Sequence, residues 1–307
     1  MPFTKLAAPK KIASLGEQVV ALAPLERDRL LAAVTTDPVK LCVSPLGSGT
    51  PKTHDVSLDE AKAVALLNKD VAVVATADAL WALLDIKHSP KIEQVGRDMR
   101  ALYPHPSGGS AFALGWDGSG VEVGYAAGEV GGRSFVLRGD IRAASITDDR
   151  CFVIMEGGGG GQFREHPGAT PESGAVGRAE LPAEAAGFDR LSAGHDLCAV
   201  GKRGERRVCL LRRDGAGFSV GMVELEHEVH DLVVLETSLV TLGTDGRLRL
   251  FGATALEAEH PAVTADVVPG LTGDATAMCA TSKGGARIWV GSAGGDLVCV
   301  SAAKGSL

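Results

Sequence analysis

The chain of 307 residues holds only thirteen aromatic side chains and a single asparagine, Asn68. No stretch approaches the run of about eighteen apolar residues that a transmembrane helix requires, so no membrane insertion is expected. The opening segment, MPFTKLAAPKKIASLG, also lacks the apolar core of a signal peptide. Positive charge is in deficit, with 31 Lys and Arg against 38 Asp and Glu and a net charge of −7. That balance argues against general nucleic-acid binding, which needs a basic face. The cysteines Cys42, Cys151, Cys198, Cys209, Cys279 and Cys299 form no CxxC pair and sit inside apolar runs. They read as buried, reduced thiols, and the chain as cytoplasmic.

Glycine, by contrast, is abundant: forty residues against fourteen prolines, spread along the whole chain. Many tight turns follow from this. The turns punctuate one recurring phrase: an apolar strand, a polar turn, a small-residue strand, a Gly or Asp turn, and a third strand. It begins at Val19, Ala63, Ala101, Ala143, Arg190, His230 and Ala275. A more polar fourth strand follows in several copies, as at His54–Leu58, Lys91–Val95 and Phe218–Leu225. A repeat of about forty residues is the period of a four-stranded propeller blade. The sequence therefore predicts an all-β, single-domain, seven-bladed β-propeller. Its blades are drawn at 19–58, 59–97, 98–139, 140–182, 183–226, 227–264 and 265–307. Because the seventh phrase has only three strands, the segment 1–18, through Lys10–Leu15 (KKIASL), is expected to supply its outer strand and close the ring. The best helical candidate, LDEAKAVALLNKD, is short and also alternates as a strand.

The hairpins LVTLGTDGRLRLFG and RIWVGSAGGDLVCV resemble the second and third strands of WD-repeat and quinoprotein-like propellers. The resemblance is one of architecture, since the Gly-His and Trp-Asp dipeptides of WD repeats do not recur from blade to blade: each occurs once, at Gly194-His195 and Trp116-Asp117. It implies a rigid disc that presents its loop faces to protein partners. Enzymatic propellers leave different marks. The chain has no SxDxGxxW box, too few tyrosines for kelch repeats and too few asparagines for a calcium lactonase. Trp81, Trp116 and Trp289 also hold unequal positions, unlike a quinone-docking repeat.

Candidate sites come from charge. The loops entering the inner strands carry Glu17, Glu60, Asp98, Asp140, Asp189, Glu228 and Asp274, a possible ring of carboxylates at a channel mouth. Asp98, Asp140, Glu228 and Asp274 are the expected partner-binding residues, with charge complementarity setting partner choice. A competing surface is the basic hairpin of blade 5, with Arg206, Arg207, Arg212 and Arg213, suited to an anionic partner. Within His227-Glu228-Val229-His230-Asp231 the two imidazoles would face opposite sides of a strand, so no metal site is expected. The run Gly157–Gly161 and the residues after it lack the Lys-Ser/Thr of a P-loop and read as a flexible loop. No catalytic set and no cofactor is implied. The expectation is a non-catalytic scaffold within a larger complex. The alternative is an enzyme, or a ligand- or cation-binding propeller, working at the acidic channel mouth.

Overall fold

A computed structural model describes residues 3–46, 49–137, 139–215, 217–281 and 285–305, so Met1 and Pro2 of the expected closing segment lie outside the described residues. The architecture is a seven-bladed β-propeller of antiparallel blades, each running from the central axis outward in chain order. The inner strands are Val19–Leu25, Ala63–Asn68, Met99–Pro104, Ile141–Ile146, Arg190–Ala193, Val229–Leu235 and Ala275–Thr281. Ala63–Asn68 is the segment that looked most helical. Its Val64, Ala65, Leu66 and Leu67 are all buried between blades, and burial on both faces settles the choice for strand.

Side chains stitch neighbouring inner strands together. The Ser145 hydroxyl accepts the Ala193 N–H at 3.1 Å, and that of Ser192 accepts the Val234 N–H at 2.9 Å. Between blades 1 and 2 the core is built of Ala, Val, Leu and Ile alone, including Leu25, Val34, Leu41, Val64, Leu66 and Leu83. Small and branched side chains fit the narrow space near the axis, where larger ones would overpack. Buried aromatics gather instead around blades 3 to 5, where Phe112 stacks on Phe135 and Phe152 on Phe163.

Closure occurs in the seventh blade as expected, and goes further. The strand Asp296–Lys304 is nine residues long, and Lys10–Ser14 pairs with its first half. A second strand, Phe3–Leu6, pairs with Ala302–Lys304. The break between the two halves is absorbed at Ala7–Pro9. Asp296, only 2% exposed, fixes the seam: it receives Lys11 Nζ at 2.6 Å and Ser14 Oγ at 3.2 Å, and accepts the Thr272 N–H at 2.9 Å.

Two boundaries and one loop differ from the sequence reading. The outer strand of blade 1 is Lys52–Asp55 rather than His54–Leu58, because Val56 turns inward to the core. Ala265–Val267 pairs with Leu248–Leu250, so blade 6 runs past the boundary drawn at 264. The glycine run of blade 4 is a packed turn rather than a flexible loop. A Cβ on Gly160 would fall 1.8 Å from the Pro182 carbonyl oxygen, and the Gly160 carbonyl receives the Arg142 guanidinium. The residues after it, Gln162–Pro167, are the third strand of the blade.

All six cysteines are free thiols, and burial pushes Cys151, Cys198 and Cys209 up to about 12. Reaction with an aromatic disulfide reagent needs the thiolate. The native protein should therefore release little chromophore over minutes, and six equivalents once denatured without reductant. A smaller final count would reveal a disulfide.

Candidate interaction face and channel

Antiparallel blades divide the turns of the disc between two faces. The loops entering the inner strands share one face with the turns between second and third strands; the first-to-second and third-to-fourth turns share the other. All seven acids of the predicted ring lie in entering loops on the first face, and all but Glu17 are exposed. They do not line the large cavity. Asp140 pairs with Arg100 at 2.6 Å, and Glu228 accepts a long hydrogen bond from Thr244.

On that first face, blade 3 presents a feature that charge counting missed. Trp116, in the turn Gly115–Gly118, is 64% exposed, and Val136 is 88% exposed. Val136 ends the outer strand and follows Phe135, so the two side chains crown one end of the blade; Ser119, directly after Trp116's turn, is the register partner of Val136. A chain of backbone bonds holds the turn: the Trp116 N–H donates to the Asp98 carbonyl at 2.9 Å, and the Asp98 N–H donates to that of Asp78 at 2.7 Å. Asp98 itself sits at φ 53°, a left-handed conformation that turns the chain sharply into the inner strand. Exposed Asp78, Asp98 and Asp117 thus frame an exposed indole. The sequence signal was present: Gly-Trp-Asp-Gly places the tryptophan at a turn, where no strand face can bury it.

The basic hairpin does not form one surface. Arg206 and Arg207 are exposed on the first face. Arg212 and Arg213 lie five and six residues further along the strand, roughly 17–20 Å away at the usual rise, toward the other face. There they are structural: Arg212 Nη2 donates to the Leu256 carbonyl at 2.5 Å, and Arg213 forks onto buried Glu165. The four arginines therefore cannot act as one anion site.

His227 and His230 of blade 6 are also internal. His227 Nε2 lies 2.8 Å from Thr241 Oγ1, and its ring stacks on Phe251. Burial, with Arg249 nearby, lowers its pKa to about 4. Among the described residues no three of His, Cys, Asp and Glu gather as a metal-ligand set. A cavity of about 310 Å³ beside them is bordered by Arg203, His230, Asp245 and Asp274.

The large cavity, about 690 Å³, runs along the inner strands to the opposite face. Its mouth is formed by first-to-second-strand turns, with Glu26, Asp148, Asp149, Asp196 and Glu236. The channel does have an acidic mouth, then, but on the other face and made of acids that the repeat register did not single out.

No helix among the described residues is long and apolar enough to cross a membrane. No family model matches the chain, and no curated protein matches it in sequence. Solved structures do match: the one described as "Structure of U3-55K" superposes with a TM-score of 0.69 across 96% of this chain and 98% of that one, at 10% identity. Likeness at that identity is likeness of fold, and the fold is a seven-bladed β-propeller.

Proposed function

We propose that the protein is a non-catalytic cytoplasmic scaffold that holds a protein partner on the face bearing the entering loops. The observation that carries this reading is Trp116, 64% exposed in a chain with three tryptophans, framed by carboxylates on a backbone fixed by hydrogen bonds. Tryptophan, with tyrosine and arginine, is enriched at the energetic centre of protein interfaces. Asp98, Asp140, Glu228 and Asp274 extend the surface around the disc and favour a partner with a basic contact region.

The test uses a partner recovered in stoichiometric amount from native lysate and then purified. Trp116→Ala should weaken its binding about thirtyfold or more, the range of an interfacial hot spot. Reversing Asp98, Asp140, Glu228 and Asp274 to lysine should abolish it, and raising salt should weaken it in the wild type. Arg206→Glu with Arg207→Glu is the control on the same face. Loss of binding in that variant alone would move the site to blade 5; no loss in any variant would refute this face as the partner surface.

A further inference from the structure

The channel is chemically one-sided. Six carboxylates line it, Asp231 in its depth and Glu26, Asp148, Asp149, Asp196 and Glu236 at its mouth, while among the described lining residues there is no lysine or arginine and His195 is the sole imidazole. Between these two levels the wall is mostly apolar, with Leu22, Pro24, Ile146 and Val234.

Asp231 is the telling residue. It is the third residue of the inner strand Val229–Leu235, beside Cys279 of the next blade. The Leu232 N–H donates to Oδ1 at 2.9 Å, and no salt bridge to Asp231 occurs among the described residues. Burial pushes its carboxyl up to about 6, only partly offset by the more distant Arg190 and by backbone N–H groups. A carboxylate in an apolar wall without a counter-ion is costly, and a bound cation would relieve that cost.

Asp231 lies on the inner strand and Glu236 in the turn just past its end, five residues on, so the deep and outer charges are separated by at most roughly 17 Å. We propose that the channel binds an elongated aliphatic di- or polyamine, one ammonium group at Asp231, the methylenes along the apolar wall, and a second ammonium group among the mouth carboxylates. The volume of about 690 Å³ lies within the range of small-molecule sites. The mouth acids have surface partners of their own, as Glu236 has Lys304 at 2.7 Å, but such exposed pairs are weak and exchange readily.

Calorimetric titration of the full chain with diaminobutane, diaminododecane, spermine, dodecylamine and dodecanediol tests this directly. Diaminododecane and spermine should bind at least about tenfold more tightly than diaminobutane, which cannot span both charges, and than the uncharged diol. Asp231→Asn should cost at least about tenfold in diaminododecane affinity, whereas Glu228→Lys with Asp274→Lys on the opposite face should leave it unchanged. Equal binding of diol and diamine would reduce the channel to an apolar pocket and overturn the proposal, as would wild-type affinity in a folded Asp231→Asn. Binding of a lysine-rich peptide without binding of any diamine would also overturn it. If Asp231→Asn does not fold, the comparison of ligands on the wild type decides alone.

Discussion

Deletion of residues 1–16 should leave a protein that aggregates or unfolds at least about 10 °C below the full chain when followed by circular dichroism or calorimetry. The deletion removes both strands that cover Asp296–Lys304, leaving a nine-residue edge open to other chains. It also removes Phe3 and Leu15, buried in two different interblade cores. At about 1.5–3 kcal/mol for each such side chain, that loss alone takes a large share of a net stability of about 5–15 kcal/mol. Asp296 further loses its contacts with Lys11 and Ser14. Its pKa is held down to about 2, first by Lys11 and then by the Thr272 and Ser14 contacts. A carboxyl lowered in the folded state contributes stability in full above its ordinary value near 4 and loses it as pH falls toward 2. The stability gap between full-length and truncated protein should therefore narrow in acid. A truncated protein with an unchanged melting curve would show that the ring does not depend on this seam.

Glu165→Ala should cost about 3 kcal/mol or more in urea denaturation at neutral pH. Glu165 is 1% exposed on the third strand of blade 4 and gathers two arginines. Arg150 Nη1 donates to it at 3.1 Å from within the blade, and Arg213 reaches across from blade 5 with Nη2 at 2.6 Å and Nη1 at 3.2 Å. Arg213 also lies over the Phe218 ring, 4.9 Å from its centroid, so its position is fixed on two sides. Removing the carboxylate strands two guanidinium groups at a blade interface; breaking such buried pairs costs about 3–5 kcal/mol, with the partial exposure of both arginines favouring the lower end. Glu165→Gln, which can still accept hydrogen bonds, should cost less. A change below about 1 kcal/mol for the alanine variant would mean that water replaces the carboxylate fully.

The blades were legible because a propeller repeats its hydrophobic pattern seven times, so an error in one copy is corrected by the other six. The closing role of KKIASL was legible for the same reason: the seventh copy was one strand short. Phe3–Leu6 was not, because four residues carry no periodicity of their own and are strand only because Asp296–Lys304 is long enough to hold them. The acids could be assigned to loops but not to a lining, since loop membership fixes a face and not a distance from the axis. The arginines of blade 5 look like one cluster in sequence, yet a strand carries its two ends to opposite faces. Trp116 was visible as a letter in a glycine turn, while its exposure depended on how neighbouring turns pack.

The seam in the seventh blade also sets an order of events during synthesis. Ser14 and its partner Asp296 are 282 residues apart, so the strand Lys10–Ser14 is made long before the strand it pairs with. At usual elongation rates it waits roughly 15–60 s for its place in the sheet. Throughout that interval Lys10–Ser14 is an unpaired strand in a crowded compartment, and its Lys10 and Lys11, with Lys5 nearby, are the charges that discourage a nascent chain from joining the wrong neighbour.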